Sequence, residues 1–202
     1  MNQMNTMNAI KVIAVLSDIP AEEIINTAEQ ITATGVKCIC INLDRHDSIK
    51  ALVTLKERFG DSILLGVGGV TSPVEVETAA ENGAQFISSY ITDEDVITCT
   101  REMGLISIAG AFTPTEIASA HRFGADYVKL FPSDIVSLSY FSQIASAMPQ
   151  IKLVGASVMA TSCHEYFESG AVLVETAPNL GYQYTDAKEI EAACEIFKIL
   201  TA

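Results

Sequence analysis

The chain has 202 residues, enough for one domain with a sizeable core, and 49% of them are hydrophobic without any run long enough to span a bilayer. Its 25 acidic residues against 12 basic give a net charge of −13, which argues against nucleic acid and anionic membranes as partners.

The start, MNQMNTMNAI, is polar and lacks a charged segment leading into an apolar stretch, so it does not read as a secretory signal. Residues 1–9 read as a polar extension ahead of a single domain. Apolar, β-branched runs then follow in order: IKVIAVL from Ile10, KCICINL from Lys37, SILLGV from Ser62, QFISS from Gln85, LISIAG from Leu105, DYVKLF from Asp126, IKLVGA from Ile151 and VLVET from Val172. Each suits a strand buried on both faces. Stretches of helical periodicity lie between them, and most end in glycine just before the next strand, at Gly35, Gly60, Gly83, Gly104, Gly124 and Gly170. Glycine there is the residue of a left-handed helix C-cap. Helix starts are expected at Pro20 after Asp18, at Thr71-Ser72-Pro73, at Thr92-Asp93-Glu94 and at Thr113-Pro114, each with a capping side chain or a proline preorganised for the first turn. A last helix is expected from Asp186 to about Leu200.

Alternating strand–helix units of this number point to a (β/α)8 barrel with tight loops. An open Rossmann-like sheet is the alternative, but Gly66-Val67-Gly68-Gly69 is not a dinucleotide-binding fingerprint. The five cysteines are odd in number and scattered, as in a reduced, cytoplasmic protein, and the C-x-C of Cys38 and Cys40 lies inside a strand. His46, His121 and His164 fall on expected helices without metal-ligand spacing, so no metal is expected.

One residue stands out. Lys129 lies in GADYVKLFP, where alternation puts Tyr127, Lys129 and Phe131 on one face and Val128 and Leu130 on the other. An ammonium among apolar and aromatic groups is costly unless paired or neutral, and a neutral amine is a nucleophile for carbonyl carbon. The blander reading is a long side chain reaching solvent from a strand end. In a (β/α)8 barrel, chemistry sits at the C-terminal ends of the strands, and Lys129 lies near such an end.

From these residues the chain resembles the class I aldolases that cleave 2-keto-3-deoxy-6-phosphogluconate and 4-hydroxy-2-oxoglutarate. GADYVKLFPSD is similar to their Schiff-base motif, and GVKCICINL, LLGVGGV and GAQFISS to their second, third and fourth strands. The resemblance runs from about Ile10 to Thr176. It implies a (β/α)8 fold, a homotrimer, no cofactor, and pyruvate released through an iminium on Lys129.

Position by position the match is uneven. Cys40 stands where the family carries its acid/base glutamate, and Asn42 and Asp44 where it carries threonine and a substrate-binding arginine. Gly66 to Gly69 replace a G-A-G-T turn, Ser89-Tyr90-Ile91 a Ser-Pro-Gly, and Ala109-Gly110 a Pro-Gly. Gly155-Ala156-Ser157-Val158 replace the P-T-G-G phosphate turn, and Glu175-Thr176-Ala177 a Gly-Gly-Ser. The resemblance therefore implies catalytic roles for Lys129 and for Cys40, with Glu175 as a relocated carboxylate. It implies substrate contacts at Asn42, Asp44, Gly66, Gly68, Gly69, Ser89, Gly110, Phe131, Ala156 and Ser157.

These departures have physical content. Cys40, Asn42 and Asp44 share one strand face, while Arg45 faces the other way. An acid at 44 cannot clamp a substrate carboxylate as arginine does. Glu175 would repel a phosphate dianion, and serine and valine in place of paired glycines restrict the angles that close amides on an anion. A phosphorylated substrate is disfavoured.

The residue that acts as base stays open between Cys40, whose favoured reading is a small inert core hydrophobe, and Glu175, which could equally be a solvated loop acid. Asp44 could instead pair with Lys129 and hold it charged. The Gly66 to Gly69 amides could receive an oxo-acid carboxylate or could mark a tight turn. Ser88 and Ser89 could supply a hydroxyl or satisfy local backbone. The leading function is a lyase joining or releasing pyruvate and an aldehyde. The alternatives are a homologue that binds a small oxo acid without turnover and, last, a sugar-phosphate isomerase or epimerase.

Overall fold

The structure is a computed structural model that describes residues 3–17, 19, 23–43, 46–177, 194–199 and 201. Asp18 and Pro20, Asp44, Arg45 and most of the expected last helix lie outside the described residues.

The apolar runs become β1 (Val12–Leu16), β2 (Cys38–Asn42), β3 (Leu64–Val70), β4 (Phe86–Ser89), β5 (Ile106–Ala111), β6 (Tyr127–Leu130), β7 (Leu153–Gly155) and β8 (Leu173–Thr176). Each strand pairs in parallel with the next, and β8 pairs with β1, so the sheet closes into a barrel. The helices are α1 (Gln3–Ala9), α2 (Ile24–Ala33), α3 (Ser48–Phe59), α4 (Pro73–Glu81), α5 (Glu94–Glu102), α6 (Pro114–Phe123), α7 (Leu138–Ala147) and α8 (Cys163–Glu168), the last entered through a 3-10 turn. Residues 194–199 are helical again. The (β/α)8 barrel expected from the sequence is the observed fold. Six of the strands are shorter than the expected runs, whereas β3 runs on to Val70 and β5 keeps its length but is shifted on to Ala111.

Local sequence explains the helix ends. Ser72 and Thr113 cap α4 and α6 in reciprocal boxes with Glu75 and Glu116, and Asp93 caps α5. Gly124 closes α6 at φ 98, a left-handed angle that a side chain would resist.

Period two sorts the core into two layers. Outward residues such as Ile39, Leu65, Val128 and Leu130 pack under the helices. Each such aliphatic side chain contributes about 1.5–3 kcal/mol by leaving water. Inward residues, among them Ile13, Cys38, Leu64, Phe86, Ile108, Tyr127, Val154 and Leu173, fill the barrel.

The polar segment ahead of β1 is helical over residues 3–9: α1 lies against the N-terminal end of the barrel, with Met7 joining the inner cluster. Asn8 Oδ1 accepts hydrogen bonds from the Tyr127 hydroxyl at 2.7 Å and the Lys152 ammonium at 2.9 Å. So short a polar segment shows little periodicity to announce it. His46 sits in a turn ahead of α3, not on a helix.

Candidate active site

Even-numbered strands each send one inward residue to the same level near their C-terminal ends: Cys40 from β2, Ser88 from β4, Lys129 from β6 and Glu175 from β8. Each lies two residues beyond an inner-core residue, respectively Cys38, Phe86, Tyr127 and Leu173. Alternate strands filling one layer is the packing rule of this barrel.

Three of the four close a ring of contacts. Lys129 Nζ lies 3.0 Å from Glu175 Oε2 and donates to Ser88 Oγ at 2.7 Å. The Ser88 hydroxyl donates to Glu175 Oε1 at 2.5 Å. Ser88 is 0% exposed, Lys129 2% and Glu175 4%. The sequence left two ways to tolerate a buried lysine, and the structure takes the first: the amine is paired. Breaking one half of such a pair strands a charge away from water, whereas the intact ring satisfies both groups.

Aromatic rings lie on the ring's C-terminal side. Tyr90, just past β4, stacks on Phe131, just past β6, with centroids 4.6 Å apart. Lys129 Nζ is 4.8 Å from the Tyr90 centroid and 5.4 Å from that of Phe131, within cation–π range of both. Tyr90 is 37% exposed, so the aromatic pair separates the buried ring from solvent.

On β2, Cys40 and Asn42 both face Gly68. A side chain on Gly68 would collide with the Asn42 carboxamide and come within 2.9 Å of Cys40 Sγ. Asn42 Nδ2 donates to Ser17 Oγ at 2.6 Å. Deeper on the same face, burial pushes the Cys38 thiol well above its usual range, with Cys40 and Glu175 adding to the effect, so Cys38 stays a thiol.

The remaining candidates divide. Gly66 and Gly68 are not in a turn but inside β3, laddered to β2 and β4. Gly66 leaves room for the Phe86 ring and Gly68 for Cys40 and Asn42, so close packing accounts for both. Gly69, at φ 75, marks the register shift between Gly68 and Val70, beside Tyr90. Ser89 Oγ accepts from the Ile91 amide at 3.2 Å and so serves its own loop. Gly110 lies under the Tyr90 backbone, and its carbonyl accepts from Thr92 Oγ1 at 2.7 Å. Gly110→Ala would drive a methyl into that backbone. We expect it to destabilise the fold by about 1–3 kcal/mol in urea unfolding and to displace Tyr90 from over the lysine.

The turn after β7 departs from the sequence reading in one respect. Ser157 adopts φ 60 despite its side chain. Its neighbours are nonetheless occupied: the Ala156 amide donates to Ser133 Oγ at 2.9 Å and the Val158 amide to the Glu175 carbonyl at 3.2 Å.

Ser88 and Tyr90 are the residues that sequence reasoning underweighted. Counting by twos from Phe86 turns Ser88, not Ser89, into the barrel, and that count was available. Tyr90 gave no comparable signal, because residues past a strand end obey no period.

The profile of the family described as KDPG and KHG aldolase matches residues 4–196. A probable 2-dehydro-3-deoxy-6-phosphogalactonate aldolase of Rhizobium meliloti is 28% identical over 68% of this chain and 65% of its own length. The Escherichia coli 2-dehydro-3-deoxy-6-phosphogalactonate aldolase is 25% identical over 72% of this chain and 71% of its own. This chain thus spans just under two thirds of the first of these relatives and somewhat more of the second. Among solved structures, the Legionella pneumophila KDPG aldolase, with pyruvate captured as a covalent carbinolamine, superposes with a TM-score of 0.85 at 20% identity, covering 100% of this chain and 99% of that one. A lysine seated inside a barrel of this topology, in a sequence matched nearly end to end, leaves one conclusion about descent: the chain belongs to the KDPG and KHG aldolase family.

Proposed function

We propose that the protein is a class I carbon–carbon lyase acting on 4-hydroxy-2-oxo acids that lack a terminal phosphate, with pyruvate as one product and the reaction open in both directions. The observation that carries this reading is the contact between the Lys129 amine and the Glu175 carboxylate inside the barrel. An ion pair is a proton donor and a proton acceptor already in position. Transfer of one proton from Nζ to the carboxylate gives a neutral amine, which adds to the C2 ketone. Loss of water leaves an iminium. That electron sink allows the C3–C4 bond to break once a base takes the C4 hydroxyl proton, and Glu175, the carboxylate beside the amine, is assigned that role. Protonation of the enamine and hydrolysis return pyruvate and the lysine. No metal or organic cofactor is needed for these steps.

The choice of an unphosphorylated partner rests on the β7 turn. Two amides of that turn are already engaged within the protein, so they are not open to an anion, while the Glu175 carboxylate is turned inward to Lys129. Asn42 remains a neutral hydrogen-bonding group at the mouth, and Cys40 lines the site from β2. The homotrimer implied by the resemblance is carried forward as part of this proposal, to be read by sedimentation velocity.

A second reading, an oxo-acid binder without turnover, is favoured by one observation: the amine is charge-compensated and lies beneath an aromatic pair. One experiment separates the two. Incubation with pyruvate and borohydride is expected to give a stable adduct at Lys129 by mass spectrometry, and an unphosphorylated 4-hydroxy-2-oxo acid is expected to be cleaved faster than its phosphorylated counterpart. An adduct without cleavage of either would leave the binder. No adduct would remove the Schiff-base mechanism.

A further inference from the structure

We propose that Ser88 is a proton relay for imine formation at Lys129; this rests on the lyase reading above. The argument is a count of protons. An ammonium carries three, and the iminium nitrogen keeps one. Two must therefore leave Nζ, and both end on the water that departs with the former ketone oxygen. The structure gives Nζ two hydrogen-bond acceptors, Glu175 Oε2 at 3.0 Å and Ser88 Oγ at 2.7 Å. The first route is direct. The second runs through the serine: Oγ takes a proton from Nζ while its own hydroxyl proton passes to Glu175 Oε1, 2.5 Å away. Ser88 ends as it began.

The balance closes over the whole step. After the first transfer, the nitrogen lone pair forms the N–C2 bond and the carbonyl π electrons move to oxygen. That oxygen takes a proton back from Glu175, giving the carbinolamine. The second nitrogen proton then leaves for the carboxylate, and the carbinolamine hydroxyl departs as water on accepting it, while the nitrogen lone pair forms the C=N bond. Glu175 finishes as a carboxylate, and nothing is oxidised or reduced. Because the ring is closed, each oxygen of the one carboxylate serves a different proton path. Its placement also fits a dedicated role: Ser88 is fully buried, and both of its partners are charged groups of the reacting centre. A serine kept only to satisfy backbone, as Ser89 is, would bond to its own loop.

The test is rapid-quench borohydride trapping of the wild-type protein, Ser88→Ala and Ser88→Thr with saturating pyruvate, read by mass spectrometry. The alanine variant is expected to slow adduct formation about 10- to 100-fold while the half-saturating pyruvate concentration stays unchanged. Threonine, which keeps the hydroxyl, is expected to recover most of the rate. In mixtures of light and heavy water the wild-type rate should fall along a curve, as two protons moving together require, and the alanine variant along a straight line. An alanine variant as fast as wild type, or as curved in its isotope dependence, would overturn the relay. So would a threonine variant as slow as alanine, which would assign the serine to packing. Failure of the wild-type protein itself to form an adduct would be a different result, sinking the lyase reading and the relay with it.

Discussion

Lys129→Met is expected to abolish the pyruvate adduct and all lyase activity, and to cost the fold a measurable part of its stability. The first effect follows because methionine offers no nitrogen to form the imine. The second follows from the buried pair. Methionine matches the length of the lysine stem but leaves the Glu175 carboxylate with the Ser88 hydroxyl alone, away from water. Removing one partner of a buried pair typically costs about 3–5 kcal/mol, far more than the pair itself contributes, because the remaining charge is stranded. Combining it with Glu175→Gln should restore part of the loss, since the double variant buries no charge. Chemical unfolding of the two single variants and the double variant forms a cycle that isolates this coupling. A Lys129→Met protein as stable as wild type would show that Glu175 is not held as a charged partner.

Glu175→Gln is expected to lower turnover of a 4-hydroxy-2-oxo acid by about 10²- to 10⁴-fold, the usual range for loss of a positioned base. The change keeps size and shape. It removes one acceptor, because an amide group presents a donor where the carboxylate presented a second oxygen. That donor must face either the Lys129 ammonium or the Ser88 hydroxyl, both of which now donate to this residue. The ring cannot be satisfied in either orientation. Adduct formation with pyruvate should slow as well, because both protons leaving Nζ go to this carboxylate. Steady-state cleavage and rapid-quench trapping read the two effects separately. Wild-type turnover in this variant would eliminate Glu175 as the base and return attention to Cys40.

The fold was legible because its signals are local and repeated. The capping serine and threonine at 72 and 113, the glycine at 124 and the period-two runs each act within a few residues, and the closed barrel is the economical way to satisfy them all. The site was legible in one dimension only. Alternation placed Lys129 and Phe131 on one face, and Cys40 and Asn42 on another, but it could not say which strands meet across the barrel. The partner of Lys129 lies 46 residues away in sequence, and Ser88 lies 41 away. No periodicity links such positions; only the closure of the sheet does. Glycines misled in the opposite sense. In the sequence Gly66 and Gly68 are open between an anion site and a tight turn, and in the folded chain they lie within β3 as absences that let Phe86, Cys40 and Asn42 fit.

The four-seat layer has a consequence for how such a site can change over time. Positions 40, 88, 129 and 175 stand at successive quarter-turns about the barrel axis, so a functional group lost from one seat can be reinstated at another without rebuilding any loop. A carboxylate placed at the seat at 40 would face the same centre as the one at the seat at 175. A barrel of this kind can therefore drift through many sequences while the chemistry at its centre keeps the same set of parts.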